Sequence, residues 1–116
     1  ERKAMGGFAC VTYGDLMVDG RTGKYFPWVA AMDNTDMLPR LSMVAHAISR
    51  HGSVASAELS HDGEFSRASR DEHGTLYGVV ERDNKYGRVE QMSEEIIDYI
   101  IDRYYSAAVF AKTRLN

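Results

Sequence analysis

Cysteine is almost missing from this chain: Cys10 stands alone among 116 residues. A lone thiol excludes an internal disulfide, and it excludes a zinc or iron–sulfur centre built on cysteines within the segment. A reducing, cytoplasmic setting is expected. Long apolar runs are missing as well. None approaches the roughly 20 residues needed to cross a bilayer, and no charged-then-apolar leader opens the sequence, so no membrane partner is expected. Basic charge is not in excess, with 14 Lys and Arg against 17 Asp and Glu and a net charge of −3. No basic face stands out, which argues against nucleic acid as a partner. What remains is an ordinary globular balance, 44% apolar and 27% charged, in a length that allows one domain at most.

The order of elements is readable from punctuation and periodicity. Residues 3–7 resemble a helix end, stopped by Gly6-Gly7, because glycine takes the left-handed cap conformation without a Cβ clash. Phe8-Ala9-Cys10-Val11-Thr12-Tyr13 reads as a short buried strand closed by Gly14-Asp15, with Leu16-Met17-Val18 as an extension, and Cys10 is expected inside it. Residues 19–34 hold Asp19-Gly20-Arg21-Thr22-Gly23 and Pro27 and read as a loop. A helix is expected near residues 36–51. Pro39 sits in its first turn, and Leu41, Val44, Ala45 and Ile48 form its apolar stripe. A second strand is expected near residues 53–59, small and β-branched, as suits burial on both faces.

Residues 60–92 are glycine-punctuated and charged, and read as one long polar connection. Ser93 then has the chemistry of an N-cap, with Glu94 and Glu95 in the first turn where the helix dipole favours acids. A helix is expected near residues 93–112, with Ile96, Ile97, Ile100, Ile101, Tyr104, Ala108 and Ala111 as its buried stripe. Alternation of strand and helix implies parallel strands with helical crossovers. A pair of parallel strands leaves both outer edges unpaired, so the chain is expected either to self-associate or to belong to a larger body.

Metal chemistry finds no support. Strand alternation sets Glu58 and His61 on opposite faces unless the strand ends at Leu59, while His46 and His51 lie five apart on a helix and His73 falls in the polar stretch. Solvated or structural roles are expected for all four histidines, and no metal site is expected. Trp28 and Phe26, in the loop after the first strand, either line a site mouth or cover exposed core.

Five segments in this order resemble the old yellow enzyme family of flavin oxidoreductases. Arg2-Lys3-Ala4-Met5-Gly6-Gly7-Phe8-Ala9-Cys10-Val11-Thr12-Tyr13-Gly14-Asp15 is similar to the approach to, and course of, the second barrel strand. Asp19-Gly20-Arg21-Thr22-Gly23-Lys24 is similar to a loop of the clostridial NADH:flavin oxidoreductase branch, which includes the bile-acid-inducible reductases. His46-Ala47-Ile48-Ser49-Arg50-His51-Gly52 resembles the end of the next helix. Ala57-Glu58-Leu59-Ser60-His61-Asp62-Gly63 resembles the third-strand signature. Met92-Ser93-Glu94-Glu95-Ile96-Ile97 resembles the start of the third helix. The tail Thr113-Arg114-Leu115-Asn116 does not match.

The resemblance implies an α/β fold, about two units of a (β/α)₈ barrel spanning residues 1–116. The first strand, the substrate-anchoring His/Asn pair and the phosphate-binding loops of such a barrel are expected outside this sequence, which opens at Glu1 rather than methionine. It implies FMN as cofactor, NAD(P)H as reductant, and hydride transfer to an activated C=C bond of a small molecule. Gly14, at the carboxyl end of a strand where barrel sites are built, is placed by the resemblance against the flavin. Glu58 occupies the family's glutamine position at the flavin pyrimidine edge. No catalytic residue of the family falls within the chain. The other reading is a non-enzymatic α/β fragment that buries its open edges by self-association.

Overall fold

The computed structural model describes residues 1–115. A short helix α1 (Arg2–Met5) ends where Gly7 turns to φ 90°, a conformation that costs an L-residue steric strain. Strand β1 (Cys10–Met17) follows. A single 3₁₀ turn (Thr35–Met37) leads into α2 (Leu38–Ser49), and α2 returns the chain to β2 (Val54–Ser60). β1 and β2 pair in parallel, Cys10 opposite Val54 and Tyr13 opposite Ala57, with a break in register between Tyr13 and Leu16. The strand therefore does not stop at Gly14-Asp15. It bulges there and runs on to Met17, whose N–H donates to the Ala30 carbonyl at 2.9 Å and whose carbonyl accepts from Met32 at 2.7 Å.

The polar stretch 60–92 is not a simple connection. It holds α3 (Arg67–His73) and a small sheet of β3 (Leu76–Gly78), β4 (Arg82–Asn84) and β5 (Gly87–Gln91). In that sheet β5 lies between β3, parallel to it, and β4, antiparallel to it. Leu76 and Val89 are both 0% exposed and anchor it. Strands this short, one of them Arg82-Asp83-Asn84, carry too few apolar alternations to be read from sequence. Helix α4 (Glu94–Arg114) closes the chain, and the Ser93 side chain caps it by accepting from Ile96 N–H at 3.3 Å.

Helices α2 and α4 pack on one face of the β1–β2 pair. Leu16, Val18, Met32, Leu41, Ala45, Ala107 and Leu115 form the buried cluster there, and Ala4, Val11 and Ile48 form a second one. The opposite face of the pair has no cover. Cys10 is exposed, not buried, and Val54 is 64% exposed, so β2 is not covered on both faces. The helix stripes need the same correction. Val44 faces out of α2, and α4 turns Ala107, Phe110 and Ala111 inward while Ile97, Ile101 and Tyr104 face outward. The reason is geometric. A helix in a barrel meets more than one neighbour, so its apolar residues cover more of its circumference than one contact can bury. The radius of gyration, 15.8 Å, exceeds the roughly 13 Å of a compact domain of this length. No closed barrel is present among the described residues, and none of their helices is long and apolar enough to cross a membrane.

Candidate functional site at the carboxyl ends of the parallel strands

The carboxyl ends of β1 and β2 bring together Gly14 and Glu58, 44 positions apart in sequence. A Cβ built on Gly14 would stand 2.7 Å from the Glu58 Cβ and 3.1 Å from its Oε2. The glycine thus has a packing reason of its own: only a bare backbone tolerates Glu58 so close. Both residues are exposed on the uncovered sheet face. Among the described residues, the Glu58 carboxylate has no hydrogen bond or salt bridge, which leaves an acceptor free at a strand end.

Next to them, Asp15 accepts a hydrogen bond from the Tyr25 hydroxyl at 2.8 Å. That bond to Asp15 holds the Tyr25 phenol above its ordinary pKa. Burial, together with the negative Asp15, pushes the Asp62 carboxyl up. Phe26 stacks on Trp28 with centroids 4.8 Å apart, and the Arg67 guanidinium lies 4.4 Å over the Phe26 ring. The two aromatics stand in the loop after β1 and belong to neither buried apolar cluster; Trp28 is 76% exposed. A cleft of about 430 Å³ opens beside the end of β2, lined by His61, Phe65, Val79 and Arg82 among others.

Beneath the mouth lies a polar network that joins three distant segments. Asp19 is 0% exposed. Its Oδ2 accepts from the Thr22 N–H at 2.7 Å and from the Thr22 hydroxyl at 2.6 Å, while its Oδ1 accepts from the Tyr99 hydroxyl at 2.8 Å. The Thr22 hydroxyl, having given its proton to Asp19, accepts from His61 Nε2 at 2.9 Å. His61 Nδ1 in turn accepts from Gly63 N–H at 3.1 Å. These roles assign the neutral Nε2–H tautomer to His61. Burial lowers the His61 pKa against a smaller opposing pull from Asp19. Burial alone raises the Asp19 carboxyl, but the hydrogen bonds from Thr22 and Tyr99 outweigh it and leave the pKa below the ordinary value. Burial and the Asp19 hydrogen bond push the Tyr99 phenol up to about 12. The structural role expected for His61 is thus a specific one: it ties the loop after β2 to the loop after β1. Asp19, Thr22 and Tyr99 escaped sequence reasoning. The signal available was Asp19 three residues before Thr22, a side-chain turn pattern, but nothing in the spacing pointed to Tyr99.

No protein family and no curated protein matches the chain. Several solved structures do. A 2-naphthoyl-CoA reductase in complex with 2-naphthoyl-CoA superposes with a TM-score of 0.84 and 20% identity, over 97% of this chain and 19% of that one. The 6-hydroxypseudooxynicotine amine oxidase of Pseudomonas geniculata gives 0.81 and 22%, over 95% of this chain and 17% of that one. Old Yellow Enzyme from a Pichia species gives 0.76 and 16%, over 90% of this chain and 30% of that one. At these identities the likeness is one of fold. The chain has the mixed α/β architecture of about two units of a (β/α)₈ barrel, as found in these oxidoreductases, and spans less than a third of the length of each.

The residues at the strand ends fit one edge of a flavin. Glu58 offers an unpartnered acceptor suited to a ring N–H, and Gly14 beside it presents no side chain. Neither residue is a phosphate donor, so the two together suit the ring and not the ribityl phosphate.

Proposed function

We propose that this chain is the part of an FMN-dependent NAD(P)H oxidoreductase of the ene-reductase type that meets the flavin pyrimidine edge, in the manner of the clostridial branch. The observation that carries the reading is the pairing of Gly14 with an unpartnered Glu58 at the carboxyl ends of adjacent parallel strands, the end where barrel active sites are built. FMN, when bound, would supply hydride chemistry, with NAD(P)H as the reductant and an activated C=C bond of a small molecule as the acceptor. Glu58 would accept from the ring N3–H, and Gly14 would let the backbone lie against the ring. The Glu58 carboxylate would also place negative charge beside the ring and disfavour added negative charge there by Coulomb repulsion. Activity of the whole oxidoreductase needs groups from other parts of the barrel, and a cytoplasmic setting suits the single cysteine.

Equilibrium dialysis of the chain against FMN tests this reading. Saturable binding near one flavin per binding unit, weakened by Gly14→Val, is expected. Binding that is absent, or indifferent to Gly14→Val, overturns it.

A second reading rests on a different observation. The uncovered sheet face carries Val54 at 64% exposure, and α4 shows Ile101 at 60% and Tyr105 at 70%. Apolar surface of this kind favours association, and the chain by itself is then a self-associating α/β unit or one body of a larger chain. The two readings are compatible.

A further inference from the structure

A second groove, of about 620 Å³, opens between the loop after β1 and the start of α2, and shares no lining residue with the Gly14–Glu58 pair. Arg21, Lys24 and Arg40 line it. Among the described residues none of these cations forms a salt bridge. Two carboxylates line it too: Asp33, whose Oδ2 accepts from Gly20 N–H at 3.1 Å, and Glu72, 3.8 Å from His73. Three cations against two carboxylates leave the Arg, Lys, Asp and Glu side chains of the groove at +1 in a chain whose net charge is −3. The N-terminus of α2 does not add to this potential. That terminus offers no anion site of its own, since the preceding 3₁₀ turn is capped by Asn34, whose side chain accepts from Asp36 N–H at 3.0 Å, and it carries the Asp36 carboxylate.

The groove also has an aromatic wall. Trp28 lines it, with one indole face resting on Phe26 at an interplanar angle of 10°. Phe26 is held from its own side by Arg67. An indole fixed on one face and 76% exposed is a stacking platform for a planar ring. Cations that carry no carboxylate of their own, a fixed aromatic platform and a carboxylate with one oxygen to spare are what a nucleoside phosphate requires.

We propose that this groove binds the adenosine-phosphate portion of a cofactor or substrate carrier. The phosphates lie against Arg21, Lys24 and Arg40, the purine stacks on Trp28, and a ribose hydroxyl donates to Asp33, as acidic residues do in dinucleotide sites. A nicotinamide dinucleotide and a coenzyme A thioester share this chemistry. The proposal does not depend on flavin binding at Glu58, and its test contains no flavin.

Trp28 is the only tryptophan, so its fluorescence reports on the groove directly when excited at the red edge of the indole band, where adenine does not absorb. Titration with ADP is expected to quench it saturably, with inorganic pyrophosphate competing and added salt weakening the effect. The double variant Arg21→Gln, Arg40→Gln changes exposed side chains only. It is expected to keep its circular dichroism and to weaken ADP binding about tenfold or more, because charge-assisted contacts are lost. Calorimetry on Trp28→Leu gives an independent readout, with weaker ADP binding expected. Parallel titrations with 3′-phospho-ADP and ADP-ribose separate the sources: tighter binding of the first assigns the groove to a coenzyme A carrier, and of the second to a dinucleotide. Quenching that does not saturate, or an ADP affinity unchanged in the double variant, overturns the proposal.

Discussion

The Tyr99 hydroxyl donates to the buried Asp19 carboxylate across 2.8 Å, which fastens α4 to the loop that leaves β1. Hydrogen bonds to a charged partner contribute about 1.5–3 kcal/mol each. Tyr99→Phe is expected to lower stability by about 1–2 kcal/mol, and Asp19→Asn by about 2–3 kcal/mol, because Asn brings an amide donor into a site built of donors. Urea unfolding of the three proteins measures both. The raised Tyr99 pKa gives the alkaline sign: its stabilisation is complete below the unfolded value of 10 and is lost as pH rises through about 12. The Tyr99→Phe protein is expected to lose less stability than the parent over that window.

His61 sets the acid side. Its folded pKa is depressed below 6.5, so the unfolded chain binds the proton more readily. The stabilisation is complete above 6.5 and falls as pH drops from there toward the folded value. Protonated Nδ1 would also face the Gly63 N–H as donor against donor. His61→Gln is expected to flatten the stability profile as pH falls below 6.5, as read by thermal melts at each pH. The Asp19 contribution behaves as a depressed carboxylate does. It is present above 3.8 and lost as pH falls from there through the lower folded value, so an acid loss at that lower pH is expected to remain in His61→Gln.

Gly14→Ala would put a methyl 2.7 Å from the Glu58 Cβ. Overpacking of this kind costs about 1–3 kcal/mol, a drop in Tm of roughly 5–15 °C for a chain of this size. In a Glu58→Gly background most of that cost is expected to vanish. A double-mutant cycle gives the coupling directly, and additive losses would mean that the two residues do not meet.

The α/β class was legible because strand-like and helix-like periods alternate along the chain, from Phe8–Tyr13 to Leu41–Ile48 and again to Ser53–Leu59. The small sheet at 76–91 was not, since three-residue strands such as Arg82-Asp83-Asn84 have no period to detect. Cys10 and Val54 read as buried because a parallel strand inside a whole barrel is covered on both faces, and here one face is open. The same openness turned the α4 stripe outward at Ile97 and Ile101. Gly14 and Glu58 were singled out by resemblance, and the parallel register then sets them side by side. Asp19 and Tyr99 are 80 residues apart, beyond the reach of any spacing rule, and the fold alone brings them together.

The exposed apolar face of α4 is testable by charge. Ile101→Glu with Tyr105→Glu alters side chains 60% and 70% exposed, so folding is expected to be retained. Sedimentation velocity is expected to show a smaller species than the parent. An unchanged distribution would remove that face from any self-association.

The flavin contact is tested most directly by titrating isotope-labelled chain with FMN and following its backbone amide resonances. The amides of Gly14 and Glu58 are expected to shift progressively and to saturate together, and Glu58→Gln is expected to alter the Glu58 response while preserving that of Gly14. Shifts confined to other regions of the chain, or none at either residue at saturating FMN, would contradict a flavin site at the ends of β1 and β2.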